Sequence, residues 1–175
     1  MNPPKIKLTI KDGSLLDQTD VDAIVNPWNR NFIPPYLFQA TGVAKALQKT
    51  TGKQPWEELS RKGILKTGEA VVTDGGKLNQ DIIHVAGINL FWTATNKSIQ
   101  TSAENAVKLA WEKGYKSIAM PLIGSGTGNK SKKETLSLIQ NQISKWHTSP
   151  TEENIMEVRL IIFNPRQNNN NIKNT

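Results

Sequence analysis

Short apolar runs rich in β-branched residues alternate with helical patterns along this chain, and this alternation restricts the possible folds more than any other feature. Apolar residues at every third or fourth position predict helices over residues 42–51, about 95–113 and 131–147. Strands that alternate with helices form a sheet covered by helices on both faces. We therefore expect an α/β fold, a three-layer α/β/α sandwich with a mixed, largely parallel sheet. The six predicted strands are Lys5–Ile10, Val21–Val25, Ala70–Thr73, Ile82–Val85, Ser117–Pro121 and Val158–Phe163.

Residues with strong local preferences mark the predicted helix ends. Gly52 and Gly114 directly follow the first two helical patterns, where a glycine commonly ends a helix. Ser131 and Glu134 have the spacing of a capping box at the start of the third helix.

Composition narrows the class of protein. The 175 residues suit one domain, predicted over residues 1–166, followed by a disordered Asn-rich tail at 167–175. With no cysteine and only two histidines, we expect no metal site and no bound cofactor. No apolar run approaches the roughly 18 residues of a membrane-spanning helix, and no signal-peptide pattern is present. We expect a cytoplasmic monomer that does not enter a membrane.

The positive charge favours anionic partners without choosing among them. Lysine and arginine exceed aspartate and glutamate by a net charge of +7, and the isoelectric point is near 9.6. A basic surface attracts nucleic acid, nucleotides and phosphorylated ligands alike. Direct nucleic-acid binding stays open as a remote alternative, although no known groove-reading or RNA-binding motif is present.

Two predicted loops occupy the position at which open α/β sheets bind ligands, beyond the carboxyl ends of strands. The second, residues 122–130, carries Gly124, Gly126 and Gly128 between a buried strand and a helix. Glycines let backbone amides converge on an anion, so a phosphate or diphosphate is the natural ligand. The spacing differs from the dinucleotide and P-loop motifs, and a simple tight turn is the alternative.

The first loop, residues 26–42, is long and aromatic. Asn26 and Asn29 follow the predicted strand, and an amide can hydrogen-bond ribose hydroxyls or orient a water. Asparagine after a strand also serves commonly as a turn residue. The aromatic residues of this loop either pack against one another or form walls for a ribose or a base.

Five sequence blocks in one order resemble the macrodomain family, whose members bind ADP-ribose, and the resemblance extends from about residue 5 to residue 164. The segment VDAIVNPWN resembles the family signature VDAIVNAAN, and IGSGTG resembles its phosphate loop. The blocks are Val21–Asn29, Gly42–Val43, Ile82–Gly87, Ser117–Pro121 and Ile123–Gly128.

The resemblance implies an ADP-ribose site made of two loops and the last strand. Asn29 is implied as the catalytic amide facing the distal ribose, and Phe163 as the aromatic residue against adenine, with a role in the core as its alternative. The implied substrate-binding residues are Asn26, Gly42, Val43, Ala44, Ile123, Gly124, Ser125, Gly126, Thr127, Gly128, Phe163 and Asn164.

Three departures from the family pattern affect this site. Ser14 stands where the family has the aspartate that reads the adenine amino group, and Asp12 or Asp17 are candidate substitutes. The bulky residues 33–41 replace a glycine run. Ala44 stands where hydrolytic members have an aspartate.

The resemblance implies removal of ADP-ribose from a protein or nucleic acid as the leading hypothesis, with a non-catalytic ADP-ribose reader as the alternative. Lys45 follows Ala44, and it is either a solvated charge or a nucleophile. His84 is expected to be buried and hydrogen-bonded, with catalysis as its alternative.

Overall fold

The computed structural model describes residues 4–29, 42–88, 93–126, 128–146 and 154–164, which contain six strands and four α-helices. The strands are β1 (Lys5–Asp12), β2 (Ala23–Asn29), β3 (Ala70–Thr73), β4 (Asp81–Ile88), β5 (Ser117–Pro121) and β6 (Ile155–Ile162). The helices are α1 (Gly42–Thr51), α2 (Gln54–Arg61), α3 (Asn96–Glu112) and α4 (Lys132–Ile143), and short 3₁₀ turns cover Leu15–Asp17 and Ser144–Trp146.

One six-stranded sheet has the order β1-β6-β5-β2-β4-β3. Every neighbouring pair is parallel except β3 and β4, which are antiparallel. The carboxyl ends of five strands therefore meet at one edge of the sheet. The predicted α/β class and the mixed, largely parallel sheet are confirmed.

Helices bury apolar residues on both faces of the sheet. On one face α3 and α4 contribute residues such as Val107 and Ile139, which pack with Val25 and Val158. On the other face α1 and α2 bury Leu47, Trp56 and Leu59 against Ile24 and Ile82. Alternate residues of β2 and β4 thus belong to different cores, as the two-residue period of a strand requires. The three-layer prediction is confirmed.

The prediction missed helix α2, whose sequence QPWEELSR is short and mostly polar. It begins three residues after α1 ends, beyond Gly52, and Pro55 lies in its first turn. Only Pro55, Trp56 and Leu59 are buried, so the apolar stripe is too short to show a period.

The prediction also ended β2 too early, because the strand extends through Pro27 to Asn29. Strand β5 pairs with β2 only at Ala23 and Ile24. Within the described ranges, the remaining residues of β2 pair only with β4. Proline is tolerated at such a one-sided position. The residues predicted as the start of a loop are therefore strand residues, and residues 30–41 lie outside the described ranges.

The predicted helix ends are largely confirmed. Gly52 and Gly114 both have φ of +80°, the left-handed conformation of a C-terminal glycine. The Ser131 hydroxyl accepts a hydrogen bond from the Glu134 amide at 3.1 Å. The Glu134 carboxylate bonds the Lys130 ammonium at 2.8 Å, so the capping box forms only in part.

The last helix and strand end earlier than predicted. Helix α4 stops at Ile143 and continues as a 3₁₀ turn to Trp146, and β6 ends at Ile162 rather than Phe163. His147 and the predicted tail at 167–175 lie outside the described ranges, and the single-domain assignment over 1–166 stays a prediction. None of the helices within the described ranges is long and apolar enough to cross a membrane.

Candidate functional site

A cleft of about 520 Å³ opens where the carboxyl ends of the parallel strands meet. Its volume lies within the usual range of small-ligand sites, roughly 300–1,000 Å³. Five strand ends and the first turns of α1 and α4 contribute to it. The lining residues are Ser14, Leu15, Leu16, Pro27, Trp28, Asn29, Gly42, Val43, Ala44, Ala46, Ile88, Pro121, Leu122, Gly124, Ser125, Gly126, Lys132, Ile161 and Phe163.

The turn after β5 forms one wall, and its two lining glycines differ. Gly124 has φ of +90°, and an added Cβ would lie 2.8 Å from the Ala94 Cβ. The fold itself therefore requires glycine at 124. At Gly126 an added Cβ would meet nothing within 4 Å and would stand in open space. The absence of a side chain at 126 leaves the backbone open to a ligand.

Asn29 lies at the end of β2, where the sheet is irregular. Trp28 pairs with Ala86 and Asn29 with Ile88, so a bulge in β4 skips Gly87. Bulges re-aim side chains next to functional sites. Asn29 is half-buried and lines the cleft. Within the described ranges its side-chain amide has no hydrogen-bond partner, so it is available to a ligand.

Asn26, three residues earlier on β2, lies inside the protein. It is fully buried, and its side-chain nitrogen donates to the His84 Nδ1 at 3.0 Å. The His84 Nε2 lies 2.9 Å from the Thr73 hydroxyl, which donates to the Asp74 carbonyl at 3.1 Å. This chain of bonds assigns the His84 proton to Nε2.

Burial keeps His84 neutral. Its pKa falls from 6.5 to about 3 because the charged ring would be desolvated. The ring also contacts Trp56 edge-on, with centroids 5.4 Å apart. A neutral, fully bonded and fully buried imidazole has a structural role, which agrees with the expectation for His84.

Helix α1 begins at the cleft and supplies Gly42, Val43, Ala44 and Ala46 to its lining. Lys45 is exposed on the same turn and does not line the cleft. This placement favours its interpretation as a solvated charge.

Ser14, Phe163 and Lys132 form the opposite end of the cleft, where β1 and β6 finish. The Gly13 amide donates to the Ile162 carbonyl at 3.1 Å, which holds the ends of β1 and β6 together. Ser14 and Phe163 directly follow these two residues, and both line the cleft. Phe163 is 51% exposed, which corrects its alternative assignment to the core. The Lys132 ammonium donates to the Phe163 carbonyl at 2.6 Å.

The cleft brings together eight of the predicted site residues and leaves four of them aside. It includes Asn29, Gly42, Val43, Ala44, Gly124, Ser125, Gly126 and Phe163. Four predicted residues do not line the cleft. Asn26 and Ile123 are fully buried, Gly128 is buried against Gly124, and Asn164 is half-buried. Thr127 lies outside the described ranges.

The proposed substitutes for the missing aspartate do not line the cleft either. Asp12 and Asp17 are both exposed, and neither is among the lining residues. The Ser14 hydroxyl instead accepts a hydrogen bond from the Leu16 amide at 3.2 Å and begins a 3₁₀ turn.

Sequence reasoning missed several lining residues. Lys132 carries no site signal in the sequence beyond its positive charge, and its contact with Phe163 depends on the meeting of α4 with β6. Trp28 is 4% exposed and packs on Trp56 at 5.5 Å, so it forms a rigid wall. Apart from Ser14, which the family pattern marked only as the replacement of an aspartate, the remaining missed residues are apolar and carry no signal of their own in a sequence.

Together the fold and the cleft define an α/β domain that presents a glycine turn and an amide to one cleft. The family model described as "Macro domain" matches residues 25–139. A macro domain-containing protein of Listeria monocytogenes is 30% identical over 90% of this chain and 90% of its own length. The chain therefore belongs to the macro domain family.

Solved structures agree on the fold. A Trypanosoma brucei macrodomain in complex with ADP-ribose matches with a TM-score of 0.77 and 18% identity, covering 95% of this chain and 68% of that one. An Oceanobacillus iheyensis macrodomain with ADP matches with a TM-score of 0.72 and 22% identity, covering 95% and 92%.

Proposed function

We propose that this protein binds ADP-ribose in the cleft at the carboxyl edge of its sheet. The observation that carries the proposal is Gly126, which lacks a side chain although neither its own backbone nor any neighbour requires glycine. A diphosphate fits this opening because backbone amides and the start of a nearby helix favour an anion. The T. brucei relative, which shares the fold, is described in complex with ADP-ribose.

The remaining contacts suit the distal ribose and the base. Asn29, whose amide has no partner within the described ranges, offers that amide to a ribose at the β2 end, and Phe163 offers an exposed ring to a base at the β6 end. The glycine turn lies on the strand between them in the sheet order, since β5 separates β6 from β2. The order of base, diphosphate and distal ribose in ADP-ribose matches this order of elements.

Calorimetry with ADP-ribose tests the proposal. We expect saturable binding to the wild-type protein and loss of affinity by at least about 100-fold in Gly126→Val, because the new side chain would fill the diphosphate position. Lys45→Ala is the matched control, since it lies on the same rim outside the cleft. The proposal fails if the wild-type protein gives neither heat nor a thermal shift at millimolar ligand.

Removal of ADP-ribose from a conjugate is a second candidate function, favoured by the position of Asn29. Cleavage at the distal ribose passes through an oxocarbenium-like state, and an amide beside that ribose could orient it or an attacking water. Among the described lining residues the only titratable side chain is Lys132, at the other end of the cleft. The ligand's own phosphate would then have to serve as the base, so we expect slow turnover.

A time course on mono-ADP-ribosylated protein and DNA separates this enzyme from a reader. We expect wild-type protein to release ADP-ribose slowly and Asn29→Ala to lose release while keeping affinity within about tenfold. Lys45→Ala should release ADP-ribose at the wild-type rate. An unchanged conjugate after long incubation, with binding confirmed, would leave only the reader function.

A further inference from the structure

The end of the cleft formed by Ser14, Phe163 and Lys132, here called the base end, has an unusual set of polar groups. Phe163 is the only aromatic side chain among the described lining residues that is more than half exposed. Stacking on a ring holds any base, because every base has a π-face. Selection among bases therefore depends on the hydrogen-bonding groups around the ring.

These groups do not distinguish the amino group of adenine from a carbonyl oxygen at the same position. That amino group is a donor and needs an acceptor, whereas the Lys132 ammonium can only donate. The Phe163 carbonyl accepts from Lys132 at 2.6 Å and keeps a second lone pair. The Ser14 hydroxyl accepts from the Leu16 amide at 3.2 Å, and it can still either accept from an amino group or donate to a carbonyl oxygen.

No carboxylate lines the described part of the cleft. The segments outside the described ranges include only two acidic residues in their sequence, Glu152 and Glu153. A 6-oxopurine such as hypoxanthine or guanine presents two acceptors, N7 and O6, on the edge where adenine presents one acceptor and one donor. A lysine donor suits the 6-oxopurine edge at least as well as the adenine edge.

We propose that the base end does not select adenine, so that the cleft accepts 6-oxopurine diphosphate riboses as readily as ADP-ribose. This inference rests on the proposed function and specifies its ligand class. Lys132 and Ser14 are the specificity-determining residues. Phe163 is 51% exposed, so water can reach a base at this end and hydrate an amino group that finds no acceptor in the protein, which keeps the loss of affinity small.

Calorimetric titrations with ADP-ribose and with inosine diphosphate ribose test the inference. We expect the inosine compound to bind no more than about fivefold more weakly than ADP-ribose. By contrast, a site that hydrogen-bonds one particular polar group of its ligand discriminates against an analogue without that group by a factor of about 10⁴ or more. A wild-type preference for ADP-ribose above fivefold would overturn the inference and leave the proposed function intact. Absence of binding by both ligands would overturn both.

Two substitutions at Ser14 supply a matched pair. Aspartate and asparagine both replace serine well at a helix N-terminal cap, so the 3₁₀ turn is retained. We expect Ser14→Asp to add an acceptor for the amino group and to raise the preference for ADP-ribose by at least about tenfold. Ser14→Asn should shift the preference much less, because its amide can accept from the amino group of adenine or, in the opposite orientation, donate to O6. An unchanged ratio in Ser14→Asp would overturn the assignment of Ser14 to the base.

Lys132→Met provides an independent variant at an exposed position. We expect it to weaken the inosine compound by about threefold more than ADP-ribose, because the lysine donor to O6 is lost. Equal weakening of both ligands would place Lys132 on a phosphate and overturn its role toward the base.

Discussion

Asn26 and Asn29 lie three residues apart on one strand, yet they belong to two regions with opposite chemistry. Asn26 is part of a buried polar network with His84 and Thr73, where each bond of the neutral imidazole is made inside the protein. Asn29 belongs to the cleft wall, where its amide lines an open volume. The network stabilises the strand, whereas the Asn29 amide in the cleft wall is accessible to a ligand.

The comparison teaches that residue type alone does not assign a role at a strand end. A buried amide without partners would be destabilising, so Asn26 needs His84. A half-buried amide can stay without a protein partner because water replaces it. Substitutions in the network should therefore lower the stability of the fold, whereas substitutions in the cleft wall should weaken ligand binding.

Acidification should produce the largest effect, and it should act on the network rather than on the cleft wall. The folded pKa of His84 is about 3, against 6.5 in a model peptide, so between those pH values the unfolded chain binds a proton that the folded chain does not. Stability attributable to His84 is present above pH 6.5 and is lost as the pH falls toward 3. The full loss is about 5 kcal/mol.

Urea unfolding between pH 7 and 3.5 measures this effect by comparing wild-type protein with His84→Gln. Glutamine is neutral throughout, can accept from Asn26 and can donate to Thr73. The wild-type protein should lose several kcal/mol more than the variant over this range. Parallel stability curves would show that His84 is not held neutral by burial.

Removing the donor to His84 should produce the next largest effect. Asn26→Leu keeps the number and branching of the side-chain heavy atoms but leaves the buried Nδ1 acceptor unpaired and adds the volume of two methyl groups, which together should cost at least about 2 kcal/mol of unfolding free energy. Asn29→Leu, in the cleft wall, is the control and should change stability by less than about 0.5 kcal/mol. Equal losses in the two variants would remove the distinction between the regions.

The two glycines of the turn after β5 extend the comparison. Gly124→Ala should cost about 1–3 kcal/mol, because alanine is strained at φ of +90° and its Cβ would crowd Ala94 and Ile99. Gly126→Ala should leave the melting temperature unchanged or slightly raised, since the position is open. A loss of stability in Gly126→Ala as large as in Gly124→Ala would show that the fold, rather than a ligand, requires that glycine.

The sequence predicted the sheet well because strand periodicity is a local property. All six strands were located, and the errors were at their ends, such as β2, which continues through Pro27. Helix α2 was missed because its few buried residues become apolar contacts only when α2 packs on the sheet.

From the residues alone, the site was predictable only where the chemistry of a side chain, or its absence, implied a use. The family resemblance added Val43, Ala44 and Phe163, which line the cleft. Glycines after a buried strand indicated the anion turn, but the sequence could not separate Gly126 from Gly128, which is buried against Gly124. Residue type alone could not separate Asn26 from Asn29, because that difference depends on His84 in β4 and on the bulge at Gly87. The family resemblance did separate them, since it implied Asn29 as the amide facing the ribose and Asn26 as its structural companion. Long-range pairing, rather than local preference, decides these roles.

A crystal structure of the protein with ADP-ribose tests the central claim most directly. The account predicts the diphosphate against the backbone of Gly124–Gly126, the distal ribose within hydrogen-bond distance of the Asn29 amide, and the base on the Phe163 ring. Asn26 should keep its bond to His84 and make no contact with the ligand. A ligand bound elsewhere on the surface, or a cleft that remains empty at saturating ADP-ribose, would contradict the account.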